Sequence, residues 1–560
     1  MPPLFSREIE RPLISTACLK YQTRTSPCES ACPAGNPIQK VHGLVKEERY
    51  EEALEFLMAR NPFPGTTGRI CTHPCETDCN RRDWDEAINI RGVERAAADR
   101  ADRTRVKKPM RMARSGKRIA VIGGGPAGLT FAYFSTLLGH EVTVFESGPT
   151  LGGIPRLCVP EYRLPKDILD MEIGLVLETG VKARTNTRVG REISFAEVRA
   201  SSDAVLIAAG TWRERKLDIP HADKAIKGVE FLRHVNLGII REIGCKVVIL
   251  GGGGVAFDCA FTARRLGARE VHILCLEGAD CMVAPSDDLV QARQEGIMIH
   301  NGCMASQVLE KDGKAGGLEY LEISGFCFDE AGEVRVETAG CQTKVLAADC
   351  VIFAAGLKPE LDFIADAGIT TNPNGTLKVD PLTGATSMKG VFAAGDVATG
   401  PSIVANAVGQ GREIALAVHR FLTGVSEVQE IAIGADGQVR VDAATCREAP
   451  HVVRFEEMFN PEYYEKGPRQ ENHRSPKVSF SEQNTGLDGS SAPIEAERCF
   501  HCGHCHNCGK CVEDCPGLIL VMTEKGPVVR YADECWHCGN CRTSCPDSAV
   551  SYLFPLYTLV

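Results

Sequence analysis

The chain has 560 residues, 26 of them cysteine, with 44% hydrophobic and 24% charged residues. This composition predicts a globular protein of about three to five domains and excludes a collagen-like, coiled-coil or mainly disordered chain. The formal charge of -10 provides no basic surface for nucleic acid, no apolar run is long enough for a membrane span, and charges interrupt the start where a secretion signal needs apolar residues. We therefore expect a reducing, cytoplasmic location, where so many cysteines indicate metal sites rather than disulfides.

The cysteines fall into three groups along the chain. Six lie between Cys18 and Cys79, ten lie between Cys499 and Cys545, and ten are scattered from Cys158 to Cys446 without a repeated spacing. Metal ligands must converge on one point, so short fixed spacings indicate a metal site, whereas a scattered buried cysteine acts as a small apolar side chain. We expect metal at the two terminal groups and packing roles for the scattered ten.

Residues 1–114 are predicted to form a helical domain that carries the first group. Its segment "IQKVHGLVKEERYEEALEFLMA" has apolar residues three and four positions apart, the spacing of amphipathic helices. The cysteines stand around such segments, as Cys28-x3-Cys32-Pro33 and as the trio Cys71, Cys75 and Cys79.

A first dinucleotide-binding unit is predicted at residues 117–146. An apolar strand leads into Gly123, Gly125 and Gly128, which fill the G-x-G-x-x-G pattern before a helix. The glycines permit a tight turn and a close approach of the backbone to a pyrophosphate at the helix N-terminus. Glu146 ends the next strand, where an acid accepts from a ribose 2′-hydroxyl. Strand, helix and acid together favour a dinucleotide site over an empty glycine-rich turn.

A second unit of the same kind is predicted at residues 246–277. Gly251, Gly253 and Ala256 occupy the three pattern positions, and Glu277 follows the next strand. Two such units in one chain favour one flavin dinucleotide and one nicotinamide dinucleotide. Neither a C-x2-C nor a C-x4-C pair occurs in the first unit, so no redox-active disulfide is expected there.

The C-terminal region contains the most specific metal motif. Residues 425–498 are polar and rich in Pro, Gly, Ser and Asn, which predicts an extended linker. After it, the run C-x2-C-x2-C-x3-C-P occurs twice, from Cys505 to Pro516 and from Cys535 to Pro546. This run is typical of bacterial ferredoxins that bind two 4Fe-4S clusters. Zinc also accepts C-x2-C pairs, but it has no use for the doubled run.

The spacing also assigns the ligands of these two clusters. Three cysteines of a tight turn bind one cluster, and the fourth, followed by proline, reaches the other cluster. One cluster is expected to use Cys505, Cys508, Cys511 and Cys545. The other is expected to use Cys535, Cys538, Cys541 and Cys515.

The segments "LGGIPRLCVPEYRLPK" (151–166) and "GRICTHPCETDC" (68–79), together with the paired dinucleotide units, resemble one known family. It is the small (β) subunit of glutamate synthase and its relatives, including the large subunit of NADH-dependent ferredoxin:NADP oxidoreductase and the N-terminal part of dihydropyrimidine dehydrogenase. The resemblance runs from about residue 26 to 423, and the stretch 456–515 is similar to variants with an appended ferredoxin.

With this resemblance, the predicted fold class is multidomain α/β. An N-terminal helical iron–sulfur domain (1–114) precedes two Rossmann-like dinucleotide-binding domains, and an α+β ferredoxin module (499–560) ends the chain. The FAD domain is expected at 115–235 and 360–424, with the NAD domain, 236–359, inserted into it.

The resemblance also implies further cofactor contacts. The segment "GVFAAGDVATGPSIVANAVGQGREIA" (390–415) is similar to the one that closes the flavin site in flavoproteins with two dinucleotide-binding domains. Four residues are implied to lie along FAD: Gly152, Arg163, Gly395 and Asp396. Ala355 and Gly356, in "VIFAAGLKPEL", are implied to border the nicotinamide nucleotide. On residue type alone, the alternative for Asp396 is an ordinary loop residue. The alternative for Arg163 is an exposed ion-pair partner.

One departure from the family concerns the nicotinamide nucleotide. Relatives that use NADPH usually place Tyr-Arg-Arg at the end of the second strand, where the arginines hold the 2′-phosphate. This chain has Cys275, Leu276 and Glu277 there. Because a carboxylate suits a free 2′-hydroxyl and repels a 2′-phosphate, we expect NAD(H) rather than NADP(H).

A second departure concerns the two N-terminal clusters of the family. The resemblance implies that one has three cysteine ligands and a helix carboxylate: Cys32, Cys71, Cys75 and Glu94. The other site keeps Cys28 and Cys79 but lacks the family's first C-x2-C pair. Because "EAERCFHCG" resembles the missing lead-in, we predict that Cys499 and Cys502 fold back to complete it, with Cys18 as the competing ligand. The chain would then carry four 4Fe-4S clusters.

Together these features predict an oxidoreductase that exchanges hydride between NAD(H) and FAD and single electrons through iron–sulfur clusters. The expected partner is ferredoxin or a large catalytic subunit of the 2-oxoacid or aldehyde oxidoreductase type. No side chain is expected to act as a catalytic acid or base. Two alternatives stay open: a glutamate synthase small subunit, and an electron-carrying iron–sulfur scaffold without nucleotide turnover.

Overall fold

The computed structural model describes residues 24–328, 334–425, 429–434, 436–443, 451–475, 478–523 and 526–550. Cys18, the competing cluster ligand, lies outside these residues, as does Cys446. Within the described ranges, no helix combines the length and apolar character required to cross a bilayer.

The N-terminal domain is built from short helices. Its elements are β1 (Arg24–Thr25), α1 (Pro27–Ala31), α2 (Ile38–Lys46), α3 (Tyr50–Met58), α4 (Pro64–Ile70), α5 (Pro74–Thr77), the 3-10 turn Asn80–Asp83 and α6 (Ile90–Arg100). Helices α1, α4 and α5 each begin with proline, whose fixed φ suits the first helical position. Ser26 caps α1, because its hydroxyl accepts from the N–H of Glu29 at 3.2 Å.

The core of this domain contains residues from far along the chain. Val41 of α2, Leu57 of α3 and Val93 of α6 share one buried apolar cluster with Leu487 and Ala496. Burial of apolar surface stabilises such contacts by about 25 cal/mol per Å2. The helical domain is therefore closed by the C-terminal part of the chain.

The first nucleotide domain is a parallel sheet covered by helices. Its first elements are β2 (Arg118–Ile122), α7 (Pro126–Leu137), β3 (Glu141–Phe145), α8 (Gly153–Leu157), α9 (Lys166–Glu178), β4 (Lys182–Arg184), α10 (Phe195–Ala200) and β5 (Ala204–Ile207). The strand Val391–Ala393 returns from later in the chain and pairs in parallel with β5. The strands β2 and β5 are almost fully buried, which explains their continuous apolar sequences.

The second nucleotide domain is inserted between these two parts. Its elements are β6 (Arg213–Glu214), the 3-10 turn Ala222–Lys224, β7 (Ile226–Lys227), α11 (Gly228–Asn236), β8 (Lys246–Leu250), α12 (Gly254–Arg265), β9 (Glu270–Leu274), α13 (Ser286–Gln294), β10 (Met298–His300), β11 (Cys303–Lys311), β12 (Lys314–Phe328), β13 (Val334–Ala347), β14 (Cys350–Phe353) and β15 (Leu357–Lys358). Five strands form a parallel sheet in the order β10-β9-β8-β14-β7, and β11, β12 and β13 form an antiparallel meander.

The beginning of this domain differs from the predicted boundary at residue 236. Strand β7 pairs with β14 in the second sheet, so residues 226–227 already belong to the second domain. The two covalent connections to the first domain run through β6 and β15, which pair with each other in antiparallel orientation. The sequence did not indicate this start because a two-residue strand carries no periodic pattern.

The chain then completes the first domain and continues to its C-terminal module. The remaining elements are the 3-10 turn Asp362–Ala367, β16 (Val391–Ala393), α14 (Asp396–Thr399), α15 (Val404–Thr423), β17 (Gln429–Ile433), β18 (Val439–Ala443), β19 (His451–Val452), the 3-10 turns Phe455–Glu457 and Pro461–Tyr463, β20 (His473–Arg474), β21 (Asn484–Gly486), α16 (Ser491–Glu497), α17 (Lys510–Glu513), β22 (Leu520–Thr523), β23 (Gly526–Val529), the 3-10 turn Ala532–Glu534 and α18 (Asn540–Thr543).

Residues 451–475 and 478–498, called the strap below, run back over the N-terminal domain. Strand β19 pairs in parallel with β1. The carboxylate of Glu495 accepts from the N–H of Asn89 at 2.7 Å, and Arg81 donates to the carbonyl oxygen of Arg498 at 2.9 Å. The strap thus holds the start of the ferredoxin module against the N-terminal helices.

This region differs from the extended linker expected at residues 425–498. Strands β17 and β18 form a hairpin, and α16 lies in the most Ser-, Gly- and Ala-rich part. The composition predicted a solvated chain, but Leu487, Ala492 and Ala496 enter the core of the N-terminal domain. A few apolar residues are sufficient to attach this segment, because the helices of the N-terminal domain provide the apolar surface on which they pack.

Candidate functional site

The first glycine-rich turn, between β2 and α7, has a shape that requires glycine. Gly123 has a φ of +110°, and a Cβ there would overlap the carbonyl oxygen of Ala208. A Cβ at Gly128 would overlap the carbonyl oxygen of Gly123. Gly125 is the N-cap of α7, so the turn leads directly into the first residues of that helix. This shape fits a pyrophosphate bound at a helix N-terminus.

Glu146 stands directly beside this turn, after the end of β3. Its carboxylate oxygens accept from the N–H groups of Gly124, at 2.9 Å, and of Gly148, at 2.7 Å. The acid therefore lies at the carboxyl edge of the sheet, from which it can reach the ribose hydroxyls of a dinucleotide.

The segment around α14 closes the same site. Gly395 has a φ of +74°, a Cβ there would lie 2.9 Å from the Cβ of Ala127, and its N–H donates to Gln410 at 2.8 Å. The carboxylate of Asp396 accepts from the N–H and the hydroxyl of Ser402 at 3.2 and 3.1 Å. Burial raises the pKa of Asp396 to about 6. Close backbone approach at Gly395 keeps this segment against the start of α7.

The second glycine-rich turn, between β8 and α12, repeats the first. Gly251 has a φ of +139°, and a Cβ there would overlap the carbonyl oxygen of Ala354. Ala256 is fully buried in α12, whereas a Cβ at Gly253 would meet open space. Glu277 lies beside this turn as Glu146 lies beside the first. Its carboxylate is so close that a Cβ at Gly252 would overlap it.

One cavity of about 2180 Å3 connects the two turns. Predicted flavin residues that line it are Gly123, Gly125, Glu146, Arg163, Gly395 and Asp396. Predicted nicotinamide-site residues that line it are Gly251, Gly253, Glu277, Ala355 and Gly356. The volume exceeds the usual range for a single small ligand, about 300–1,000 Å3. The same cavity reaches Cys71 of the N-terminal domain.

Three predicted cofactor residues lie next to the turns and are buried: Gly128, Gly152 and Ala256. The N–H of Gly152 donates to the carbonyl oxygen of Gly124 at 2.7 Å, which joins the segment 151–166 to the first turn. These buried residues pack against the two glycine-rich turns and help to maintain their shape.

Arg163 faces the second nucleotide domain. Its guanidinium is paired with Asp258 of α12 and, at 2.8 Å, with Asp288 of α13. It also lines the cavity, and its Nη2 is buried without a hydrogen-bond partner among the described residues. The structure therefore gives Arg163 an ion-pairing role between domains in addition to its place in the cavity wall.

Three cysteines and one carboxylate of the N-terminal domain, the ligand set that the family resemblance implies, lie near one another. Burial and then the carboxyl of Glu94 raise the pKa of Cys32 to about 12, and burial raises that of Cys75 with Glu94 as the next cause. Cys71 lies in the same group and also raises the pKa values of Cys32 and Cys75. Glu94 is only 8% exposed, and its Oε1 is buried without a hydrogen-bond partner in the described part of the chain. An orphaned carboxylate oxygen among three thiols fits a metal ligand.

The second group joins the two ends of the chain. Its four cysteines are buried: Cys28, Cys79, Cys499 and Cys502. Burial and then Cys79 and Cys499 raise the pKa of Cys28, and burial and then Cys28 and Cys79 raise the pKa of Cys502. Asn80 donates to the sulfur of Cys502 at 3.3 Å, which connects the N-terminal trio directly with the C-terminal pair.

The C-terminal cysteines form two further groups. Burial raises the pKa of Cys511 to about 12, with contributions from Cys545, Cys505 and Cys508. Burial likewise raises the pKa of Cys541 to about 11, and the neighbours that raise it further are Cys535, Cys538 and Cys515. A small cavity is lined by Cys515, Cys535, Cys538 and Cys541. The fourth cysteine of each run lies with cysteines of the other run.

A zinc ion requires thiolates about 2.3 Å from a single point. In the described residues, no group of three or more His, Cys, Asp or Glu side chains converges closely enough to hold one metal ion.

Sequence reasoning missed the polar residues that support these groups. Asn36 donates to Glu94 at 3.0 Å, and Arg91 donates to the carbonyl oxygen of Cys71 at 3.1 Å. Asn80 was also missed, although its place next to Cys79 is a usable signal. Asn36 is 58 positions away from Glu94, so no local pattern could have connected them.

Comparisons with known proteins agree with this arrangement. The family description pyridine nucleotide-disulphide oxidoreductase matches residues 117–411, dihydropyrimidine dehydrogenase domain II, 4Fe-4S cluster, matches 12–106, and 4Fe-4S dicluster domain matches 504–550. These matches confirm the predicted fold class, with two dinucleotide-binding domains between iron–sulfur domains.

Three individual proteins illustrate the similarity. The NADP(+)-dependent formate dehydrogenase subunit beta of Moorella thermoacetica is 32% identical over 514 residues, which cover 85% of this chain and 70% of that one. The NADPH glutamate synthase small chain of Mycobacterium tuberculosis is 32% identical over 433 residues, covering 71% of this chain and 86% of that one. The solved structure of Mycobacterium tuberculosis FprA in complex with NADPH is 17% identical, with a TM-score of 0.47, covering 55% of this chain and 85% of that one.

The first turn predicts the result of one substitution. Gly128→Ala is expected to push α7 away from Gly123 and to lower the FAD content of the purified protein at least tenfold. The flavin absorbance per chain measures this. Gly174→Ala in α9 is the matched control, since a Cβ there meets nothing within 4 Å, and it should keep full flavin. Full flavin in Gly128→Ala would contradict the assignment.

Proposed function

This chain belongs to the pyridine nucleotide-disulphide oxidoreductase family, and from that premise we propose that it is the NAD(H)-dependent electron-transfer subunit of a multi-subunit oxidoreductase. It exchanges hydride between NAD(H) and FAD and passes single electrons through 4Fe-4S clusters. The partner with which it exchanges electrons is ferredoxin or a large catalytic subunit of the 2-oxoacid or aldehyde oxidoreductase type. Relatives named as beta subunits of formate dehydrogenase and of NADPH-Fe(3+) oxidoreductase support the assignment to a complex.

The observation that carries this proposal is the shared cavity. Both glycine-rich turns open into it, and it extends to Cys71, a proposed cluster ligand. A nicotinamide ring, a flavin ring and the cluster proposed at Cys71 can therefore be neighbours without a domain movement. Hydride and electron transfer both require such short separations.

The residues of the chain bind and orient rather than supply acid or base. Bound FAD supplies the conversion between a two-electron hydride and single electrons. Gly123 and Gly128 would keep the backbone close to its pyrophosphate, and Glu146 would accept from its ribose. Asp396, with its raised pKa, stands at the other side of the same site. We assign no catalytic acid or base.

We further propose NAD(H) as the nucleotide. The carboxylate of Glu277 borders the second turn, where it can accept from a 2′-hydroxyl and where it repels a 2′-phosphate. The relatives named above carry NADP or NADPH in their names, so this chain would differ from them in nucleotide preference.

We propose four 4Fe-4S clusters, with the ligand sets described above. A repeated backbone geometry supports three of the C-x2-C turns of the C-terminal region: His501, Asn507 and His537, each directly before the second cysteine of its turn, have φ values of 50°, 63° and 55°. The N–H groups of His501 and Asn507 point at the sulfurs of Cys499 and Cys505, at 3.5 and 3.4 Å. The Cys499 turn thus has the geometry of a ferredoxin ligand turn, and N–H groups near sulfur stabilise cluster thiolates.

The proposal is tested by anaerobic purification of the tagged native protein. Addition of NADH should bleach the flavin absorbance, and a large subunit identified by mass should be recovered in stoichiometric amount. A lone chain that reduces ferredoxin with NADH would place the activity in a free-standing oxidoreductase. Flavin that NADH leaves oxidised would contradict the proposal and favour a scaffold without nucleotide turnover.

The fourth cluster predicts an iron count. The native chain should contain about sixteen iron atoms, and the double variant Cys499→Ser/Cys502→Ser about twelve, with the loss of one signal in the EPR spectrum of the reduced protein. Cys245→Ser, which changes an exposed cysteine of the second nucleotide domain, is the control and should keep the full count. An unchanged count and spectrum in the double variant would exclude the shared cluster.

The nucleotide preference predicts the effect of Glu277→Ala. Removal of the carboxylate should lower the preference for NADH over NADPH at least tenfold, which corresponds to about 1.4 kcal/mol. The ratio of the two kcat/KM values for flavin reduction measures it. Glu270→Ala, at the other end of β9 and paired with Lys246 at 2.8 Å, is the matched control. A native preference for NADPH would overturn the assignment.

A further inference from the structure

Two carboxylates and three arginines meet at the first turn of α13. Arg474 pairs with Asp287 at 2.9 Å, Arg91 pairs with the same carboxylate at 3.2 Å, and Arg163 pairs with Asp288 at 2.8 Å. All five side chains line the large cavity. We call this group the arginine–carboxylate junction.

The three arginines of the junction come from three different parts of the molecule. Arg91 belongs to α6 of the N-terminal domain, Arg163 to the flavin domain and Arg474 to the strap. Both acids belong to the nucleotide domain, which carries Glu277 and the second glycine-rich turn. The junction therefore ties the nucleotide domain to every other part that borders the cavity.

Arg91 connects the junction to a proposed cluster ligand. One of its Nη atoms binds Asp287, and the other donates to the carbonyl oxygen of Cys71 at 3.1 Å. Its N–H donates to Glu76 at 3.0 Å, which holds the start of α6 in place. Arg91 therefore links the first turn of α13 to the backbone of the loop that carries Cys71.

The carboxylate of Asp287 is held in its ionised form. Burial by itself raises the pKa of Asp287, and the guanidinium groups of Arg91 and Arg474 outweigh it, so that the pKa is lowered. Asp288 is 4% exposed and still has Arg163 as its partner. A buried pair of this kind is costly to break, because it leaves one charge without a partner.

The strap strengthens the connection on the same side. The carbonyl oxygen of Ser479 accepts from Arg265 of the nucleotide domain at 2.9 Å. The N–H of Gln483 donates to the carbonyl oxygen of Tyr162 of the flavin domain at 2.9 Å. Arg95 of the N-terminal domain donates to the carbonyl oxygen of Asn484 at 2.6 Å. One short stretch of the strap thus binds all three domains.

The covalent connections alone do not determine the orientation of the nucleotide domain. They consist of β6 and β15, two paired strands of two residues each. Such a narrow connection permits rotation of one domain against the other. Non-covalent contacts across the cavity have to select one orientation.

We infer that the arginine–carboxylate junction positions the nucleotide domain for hydride transfer, with Asp287, Arg91 and Arg474 as positioning residues. The inference rests on the proposed function. It gives the strap a second role. The strap joins the flavin domain to the ferredoxin module, and through Arg474 it also sets the geometry at the nucleotide end of the electron path. Hydride transfer is sensitive to such geometry, since a displacement of about 1 Å can cost a hundredfold in rate.

The test uses Asp287→Ala and Arg474→Ala in the full chain with its cofactors. In anaerobic stopped-flow experiments, flavin reduction at saturating NADH should slow at least tenfold in Asp287→Ala and about threefold in Arg474→Ala. The Kd for NADH and the iron count should stay at native values, because the nucleotide contacts and cluster ligands are intact. Arg474→Lys should restore part of the rate, since it keeps the charge.

Lys108→Ala is the matched control. Its exposed ion pair with Glu178, at 2.6 Å, also connects two parts of the chain but lies away from the cavity, and it should leave the rate unchanged. Native flavin reduction rates in Asp287→Ala would overturn the inference. Slow reduction accompanied by loss of iron would also overturn it, because the junction would then hold the clusters rather than orient the nucleotide domain.

Hydrogen exchange separates this inference from the proposed function. Peptides that cover α13 should exchange faster in Asp287→Ala than in the native chain, whether or not NADH reduces the flavin. Unchanged exchange would refute the junction on its own. If native flavin stays oxidised with NADH while exchange increases in the variant, the proposed function fails and the junction remains as a domain contact.

Discussion

The apolar core shared by the two ends of the chain is the interaction on which the rest of the structure depends. Helices α2, α3 and α6 do not close their own core, and Leu487 and Ala496 of the strap complete it. This burial gives the return of the chain a driving force of its own. Cys499 follows Ala496 by three positions, so the same packing brings it beside Cys28. The ferredoxin module is attached to the N-terminal domain for the same reason.

A second constraint is the direction of the parallel strands. Ligands of open α/β sheets bind at the carboxyl ends of the strands, where backbone N–H groups and helix N-termini are available. The carboxyl ends of β2 and β8 open into the same cavity, with Gly123 on one side and Gly251 on the other. The end of α4 brings Cys71 to the same space. An oxidoreductase with a flavin, a nicotinamide nucleotide and clusters needs this convergence.

The motifs that the sequence predicted correctly are those whose geometry is local. The two glycine-rich patterns required turns that a Cβ at Gly123 or Gly251 would prevent, and the turns are present. The repeated cysteine runs have left-handed residues at equivalent positions, Asn507 and His537. The extent of the domains was less predictable. Strand β7 is too short for a pattern, and the polar composition of residues 425–498 concealed an apolar contact at Leu487.

By itself, the sequence determined the kinds of site in this protein, because a glycine pattern or a cysteine spacing controls backbone conformation within about ten residues. Only the tertiary structure decided which distant side chains meet. It surrounds Glu94 with cysteines and gives it Asn36 as a donor, and it pairs Asp287 with Arg91 across the cavity. These partners are separated by many residues and selected by burial and charge. Their meeting depends on the packing of whole domains, which no short pattern records.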